Sequence, residues 1–431
     1  MKAASSNPFC AAFTMNHSEP KNIPNMWAPF YAVLLSVLTY YSVLKEFANE
    51  MSDYCGHVYS YIPLLQGDKL AEGWMSIPYF LWHAFVIILH KIIEVPIEPA
   101  SAIVSCGFAC FSFFVLFYMI ERYCAAKAVR VTPFAAATVA FALCVIQRII
   151  LPWADIGGAF SINPFHNPTQ MCVKPLSLLC FAFTYDIFEK LNNSSYEGTF
   201  ISMKKGLLRG YIALAVALFF SGMAKPTFAE MFIPTVGLLM LFEWGCRVVR
   251  KNTTAKAYFI ELCKMFLVAV PTICYILLQF FAYFVWGGSY GMDESHMIIT
   301  RWMEVWKLFS ENIPLSIVLS LGFPLLIVMM DIRFFLKDNL GRIALVGFIV
   351  SLLEAGFLTE ESKMTHGDFL WPMMSGMLLL WVAATLRFIV MNHSAPQFKC
   401  EWLNRTLVGL GWFVFYLFGF AGVVSVFGRI L

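Results

Sequence analysis

An all-α polytopic membrane protein with about eleven crossings is what this sequence predicts, on three observations. First, 60% of the 431 residues are hydrophobic and only 13% are charged, where a soluble domain carries about 25% charged residues. Second, apolar runs of about 18 or more residues recur along the whole length, each long enough to cross a bilayer as a helix. Third, Lys and Arg concentrate on one side of the runs, as orientation by positive charge requires. With the N-terminus inside, the inner segments hold 20 of the 30 basic residues and 10 of the 27 acids, leaving 10 and 17 outside.

The chain opens with a polar tail, 1–26, which contains Pro20 and Pro24. It lacks the charged-then-apolar pattern of a cleavable signal peptide. Helix 1, expected over 27–44, then serves as an uncleaved signal, and 27–431 reads as a single transmembrane domain. Of the twelve cysteines, Cys106, Cys110, Cys144, Cys172, Cys180 and Cys263 lie within apolar runs. There they act as small hydrophobes, and no CxxC or Cys/His metal spacing occurs.

Between helix 1 and helix 2 (99–120) lies an outer loop, 45–98, with seven acids and three of the eight histidines. Within it, Ser76–Ile93 is apolar but broken by His83 and His90. A full crossing there would move Arg122, Lys127 and Arg130 outside and invert every later loop. It is therefore expected as an interfacial or re-entrant helix. Just past helix 1 stand Asp53 and His57. If that helix continues, the two share a face, and a carboxylate beside an imidazole suits general-base work. The plainer alternative is a solvated acidic loop.

Helices 3 and 4 (134–152 and 169–189) enclose Trp153–Met171, where Gly, Pro and Asn replace helix at membrane depth. Such backbone is tolerated only where protein or a polar cavity covers it. This stretch carries His166, and Arg148 and Lys174 flank it inside apolar helices. An intramembrane cation marks a site or a paired charge, although both lie near outer helix ends, from which they can snorkel. Helices 5 and 6 (207–223 and 229–246) are joined by the tight turn Ala224–Glu230, in which Glu230 stands close enough to neutralise Lys225. Arg148, Lys174 and Lys225 together offer the point charges and forked donors that a phosphate or diphosphate needs.

Helix 7 (264–286) leads to Gly287–Glu311, where Arg301 and the tryptophans at 302 and 306 fit an amphipathic surface helix. Arg301 is there an interfacial anchor or a further phosphate ligand. Helices 8 and 9 follow (312–330 and 342–358), with Glu354 near the outer end expected to pair with a cation. Glu360, Glu361, His366 and Asp368 then precede helix 10 (369–390), which opens with Phe369, Leu370 and Trp371. They read as partners for sugar hydroxyls above an aromatic shelf, while Asp368 alone is more simply a helix cap. Helix 11 covers 405–427. No P-loop, HExxH or GxSxG motif occurs, nor the half-helix pairs of an inverted-repeat transporter, and no nucleic-acid partner is expected.

This pattern resembles the GT-C superfamily of integral-membrane glycosyltransferases over nearly the whole chain in architecture, but at few positions in motif. Asp53 stands where those enzymes carry a catalytic acid shortly after helix 1, and Ser76–Ile93 resembles their interfacial helix. The resemblance implies an inverting transfer from a polyprenyl-phosphate-linked sugar donor to a glycan, lipid or protein acceptor on the outer face. Asp53 would deprotonate or orient the acceptor hydroxyl, and Arg148, Lys174 and Lys225 would hold the lipid phosphate. A divalent cation, Mg or Mn, serves some members and not others, and no ligand set here demands one. Many members show a tight acidic pair where Asp53 is flanked by Ser52 and Tyr54, and no large soluble C-terminal domain follows in this sequence. A bacterial plasma membrane fits. A lipid-linked glycan flippase, which would need polar groups along a path across the bilayer, and a glycan polymerase or ligase are the alternatives.

Overall fold

The computed structural model describes residues 26–50, 52–66, 79–149, 160–193, 206–281, 297–360, 369–393 and 401–430. Helices dominate: α1 (Trp27–Glu46), a short helical stretch from Asp53 to Gln66, α2 (Leu81–Ile93), α3 (Ile97–Ala126), α4 (Pro133–Val145), α5 (Pro168–Asn192), α6 (Leu208–Ala224), α7 (Thr227–Val249) and α8 (Ala255–Phe280). After β1 (Met297–Ile299) come α9 (Glu304–Phe309), α10 (Ile313–Met330), α11 (Ile332–Lys337) and α12 (Asn339–Phe357). The chain closes with β2 (Leu358–Glu360), α13 (Leu370–His393) and α14 (Glu401–Ile430). Among the described residues, nine helices are long and apolar enough to cross a membrane, while α2, α4 and α6 are shorter apolar helices. The protein is an all-α polytopic membrane protein at that level of description.

Local chemistry sets the helix starts. Thr132 caps α4, accepting from Ala135 N at 3.2 Å, with Pro133 in the first turn. Asn167 and Pro168 do the same for α5, and Asn312 and Pro314 for α10. Proline costs least at this position because its missing N–H would have had no helical partner. Burial sorts the helices. In α5 and α13, 89% and 94% of the apolar window is buried, against 22–50% in the other seven spans. These two form the centre, and the rest wrap it. The outer faces stay apolar, as at Val33, Phe242, Phe266 and Phe420, which is the arrangement lipid favours and water would penalise.

Three features depart from the sequence expectations. The helix expected over 134–152 stops at Val145, and residues 146–149 leave the helix. Asn163 takes the carbonyls that the next turn would have used, its Nδ2 donating to Leu143 O at 3.1 Å and Ile146 O at 2.7 Å. Neighbouring helices then receive the freed backbone: Ile149 N donates to Leu319 O at 3.0 Å, and Gly422 leaves room against the Val145 carbonyl that a Cβ would fill. The helix expected from 264 starts instead at Ala255, so Lys256 and Lys264 are helical. A small antiparallel ribbon also interrupts the all-helical pattern, Met297 pairing with Glu360 and Ile299 with Leu358.

Candidate functional site

Chain turns from four parts of the sequence meet at one end of the bundle. α1 does not continue through Asp53. It ends at Glu46, and a new helical stretch begins with Ser52 as its cap, accepting from Tyr54 N at 3.3 Å. Ser52 Oγ donates to Glu46 Oε2 at 2.8 Å, which fixes the bend. Asp53 occupies the first helical position, half-buried. Tyr54 is fully buried and its hydroxyl lies 2.9 Å from Ser105 Oγ on α3, to which Trp82 Nε1 of α2 also donates at 3.3 Å. One serine thus anchors both the Asp53 segment and α2 to the membrane bundle.

Asp53 and His57 are not a hydrogen-bonded acid–base pair. Asp53 Oδ2 accepts from Asn167 Nδ2 at 2.8 Å, across 114 residues. Asn167 is itself fixed, its Oδ1 accepting from Thr169 Oγ1 at 2.9 Å and from Gln170 N at 2.8 Å. His57 turns elsewhere: its Nδ1 lies 2.9 Å from His83 Nε2. The intervening Gly56–Tyr61 segment is π-helical, a form that recurs at functional sites. His83, expected to mark an interface, is instead fully buried, because α2 turns Trp82, His83 and Val86 inward and leaves Phe85, Ile88 and Ile92 exposed.

Burial holds the His57 imidazole well below its ordinary range, helped by His83 and by the Lys225 charge, and pushes His83 down to about 3. Both rings are therefore neutral at pH 7. Buried His83 Nδ1 has no partner, and an orphaned N–H costs more than a bare lone pair. The hydrogen-bond network therefore assigns His83 Nε2–H as donor to His57 Nδ1, which leaves the proton of neutral His57 on Nε2. In that form His57 is a donor and not a base.

Lys225 caps the end of α6 in an extended conformation. It is 8% exposed, and its ammonium lies 3.9 Å from the centroid of the Trp371 ring, in the first turn of α13. The His166 ring sits 5.9 Å from the same indole. Lys225 is within electrostatic reach of His57 and of Glu230. The structure therefore brings together His57, His166 and Lys225, an assembly rich in donors, and sets Asp53, an acceptor, four residues before His57.

Other expected site residues lie apart or outside the described residues. Lys174 is buried within the bundle, its ammonium held by Asn163 Oδ1 beside a cavity of about 20 Å³. Arg148 is exposed just past the end of α4 and not inside a helix. The Arg301 side chain is exposed, and its backbone N–H donates to Glu304 Oε2 at 3.0 Å. The surface helix expected there is the short α9, with Val305 and Trp306 buried. Glu354 pairs with no cation among the described residues: its Oε2 is buried without a hydrogen bond, and its charged neighbour is Glu230. The backbone of Glu360 belongs to β2, whereas Glu361, His366 and Asp368 fall outside the described residues. Among those described, no group of three or more His, Cys, Asp or Glu residues is placed to hold a metal.

Asn167 and His83 were the functional candidates hardest to find from the sequence. Asn167 precedes Pro168 as a plausible cap, and that was its only signal. His83 had none beyond its polarity in an apolar run. No protein-family model matches this chain, and no curated protein or solved structure matches it significantly.

The neutral histidine pair makes stability depend on pH. Each ring has a folded pKa below its unfolded value of about 6.5, so the unfolded state takes up protons first as pH falls. The stabilisation is intact above about pH 6.5 and is lost progressively toward the folded values. Lowering pH from 7.5 to 5 should cost about 2 kcal/mol per histidine. Thermal unfolding of the purified protein at the two pH values checks this, with the dependence flattened in His83→Gln. Equal melting temperatures at both pH values would contradict the burial of the pair.

Proposed function

We propose that this chain is a GT-C-like membrane glycosyltransferase with eleven crossings and its N-terminus inside, acting on a polyprenyl-phosphate-linked sugar at the outer face of a bacterial plasma membrane. The observation that carries the reading is the meeting of a fixed carboxylate, Asp53 on Asn167, with the donors His57, His166 and Lys225 at one end of the bundle. Transfer of a sugar to a hydroxyl calls for both: an acceptor for the hydroxyl proton and donors for the departing phosphate. In this reading Asp53 orients and deprotonates the acceptor hydroxyl of a glycan, lipid or protein. Lys225 and His57 Nε2–H face the phosphate. Trp371, pinned by Lys225, forms a shelf for the sugar ring, and Glu360, Glu361, His366 and Asp368 complete the hydroxyl contacts.

The proposed step balances. The acceptor oxygen forms the new glycosidic bond as the bond from the anomeric carbon to the phosphate oxygen breaks. The hydroxyl proton passes to Asp53, and the lipid phosphate leaves with the electron pair. A divalent cation is not needed for that balance, and Mg or Mn would act as added support for the leaving phosphate.

The test is transfer of radiolabelled sugar from polyprenyl-phosphate donors by the purified protein in lipid. Wild type should transfer, and Lys225→Met should raise the KM for donor by about tenfold or more, the loss of one charge-assisted contact of about 1.5–3 kcal/mol. If no donor binds or reacts, the enzyme reading fails and a flippase is tested next in proteoliposomes. The Lys174 cavity, with room for about one water, offers no open path across the bilayer in this conformation.

A further inference from the structure

On the flank of the bundle, α6, α7 and α8 enclose a cavity of about 490 Å³ whose lining is almost entirely apolar, including Leu214, Leu218, Phe232, Gly237 and Met265. The space lies within the range of small-molecule sites, about 300–1,000 Å³. It opens outward: Leu241, Phe266 and Leu267, which also line it, are exposed. Gly237 borders open space, since a Cβ there would meet nothing within 4 Å. None of these residues belongs to the cluster around Asp53 and Lys225.

One end of the same three helices is strongly basic. Arg209 precedes Leu214 on α6, Arg247 and Arg250 follow Leu241 at the end of α7, and Lys256 precedes Leu262 on α8. At 1.5 Å rise per residue the nearest of these cations stand about 7–9 Å along the helices from the groove. The acids at that end are already engaged. Glu243 pairs with Arg342 at 2.5 Å, and Glu261 pairs with Lys264 at 2.7 Å while accepting from Tyr211 at 2.7 Å. Arg247 has only neutral partners among the described residues: Thr254 at 2.9 Å, Asn192 at 3.2 Å and the Tyr258 ring at 4.3 Å. Arg209, Arg250, Lys251 and Lys256 are exposed and form no ion pair among the described residues.

We infer that this groove binds an anionic phospholipid, its hydrocarbon chain lying along α6, α7 and α8 and its phosphate resting on the basic rim. Apolar lining alone would accept any lipid. The unneutralised cations select a negative headgroup, as basic pockets between membrane helices do. The offset between groove and rim matches a molecule whose charge and chain are joined end to end. This site is independent of the sugar-transfer reading.

The experiment is native mass spectrometry of the full chain in detergent with phosphatidylglycerol or phosphatidylcholine added. Wild type should retain phosphatidylglycerol at least about tenfold more than phosphatidylcholine, two or more effective charges at about fivefold each. Gly237→Phe should fill the groove and remove retention of both lipids. Arg250→Gln/Lys251→Gln/Lys256→Gln, confined to the surface, should lower phosphatidylglycerol retention severalfold toward the phosphatidylcholine level while leaving the latter unchanged. Equal retention of the two lipids by wild type overturns the inference. So does a dimer joined through exposed Cys263 on cross-linking that Gly237→Phe dissolves, since a second copy would then fill the groove.

Discussion

Asp53→Asn should lower sugar transfer by about 10²- to 10⁴-fold, the usual contribution of a general base, while the protein folds and still binds donor. The structure makes this substitution unusually clean. Asn167 donates to Asp53 Oδ2, and an asparagine carbonyl at position 53 accepts the same bond in the same place. What disappears is the negative charge and the ability to take a proton. The loss should fall on kcat, because the proton moves only in the transition state. Asn167→Ala provides the contrast. It frees the carboxylate to rotate and also removes the cap of α5, worth about 1 kcal/mol, so it should lower both activity and melting temperature. If Asp53→Asn transfers as fast as wild type, Asp53 is not the base. If Asn167→Ala loses stability without losing rate, the pair serves the fold alone.

The helices were largely legible in the sequence because a long apolar run has few alternatives in a bilayer. α5 starts at Pro168, one residue before the expected 169, although its cap Asn167 lies in a stretch whose Asn and Pro residues read as breaks in helix. Lys225 was legible for a local reason, being a cation between two apolar runs separated by almost nothing. Partnerships were not. His57 meets His83 only because α2 packs inward on Ser105 and turns one face of its apolar sequence to the protein. His83 and His90, seven residues apart, share one helix face. A polar face in an apolar helix points to water as readily as to protein, so the pattern does not reveal the inward packing. The early end of α4 was hidden for a related reason: Ile146 and Ile149–Leu151 keep the run apolar on both sides of Gln147 and Arg148, and the stop depends on an asparagine eighteen residues later. The β1–β2 ribbon pairs strands of three residues, too short for any alternating pattern to stand out.

That asparagine carries the largest expected effect on stability. Asn163 makes its contacts in four directions: to the Leu143 and Ile146 carbonyls, to the Lys174 ammonium, and through its own carbonyl to Gln147 Nε2. Asn163→Leu keeps the volume and the backbone acceptor but strips the side-chain partners. The Leu143 carbonyl and the buried Lys174 ammonium are then left unmatched, while the Ile146 carbonyl keeps Ser161 Oγ as donor at 3.2 Å. Leaving a buried charged donor unpaired costs about 3 kcal/mol or more, whereas single hydrogen bonds in membrane proteins average about 0.6 kcal/mol. The lysine therefore sets the size of the loss, and the carbonyls add little. This ranking predicts a rescue. Lys174→Met alone should be mildly destabilising, and Asn163→Leu/Lys174→Met should recover most of what Asn163→Leu loses, because the uncompensated charge has gone. Thermal melts of the four proteins close the cycle. The result also separates two roles for Lys174: a partner of Asn163 gives a large coupling with donor KM unchanged in Lys174→Met. A phosphate ligand would instead give little coupling and a raised KM.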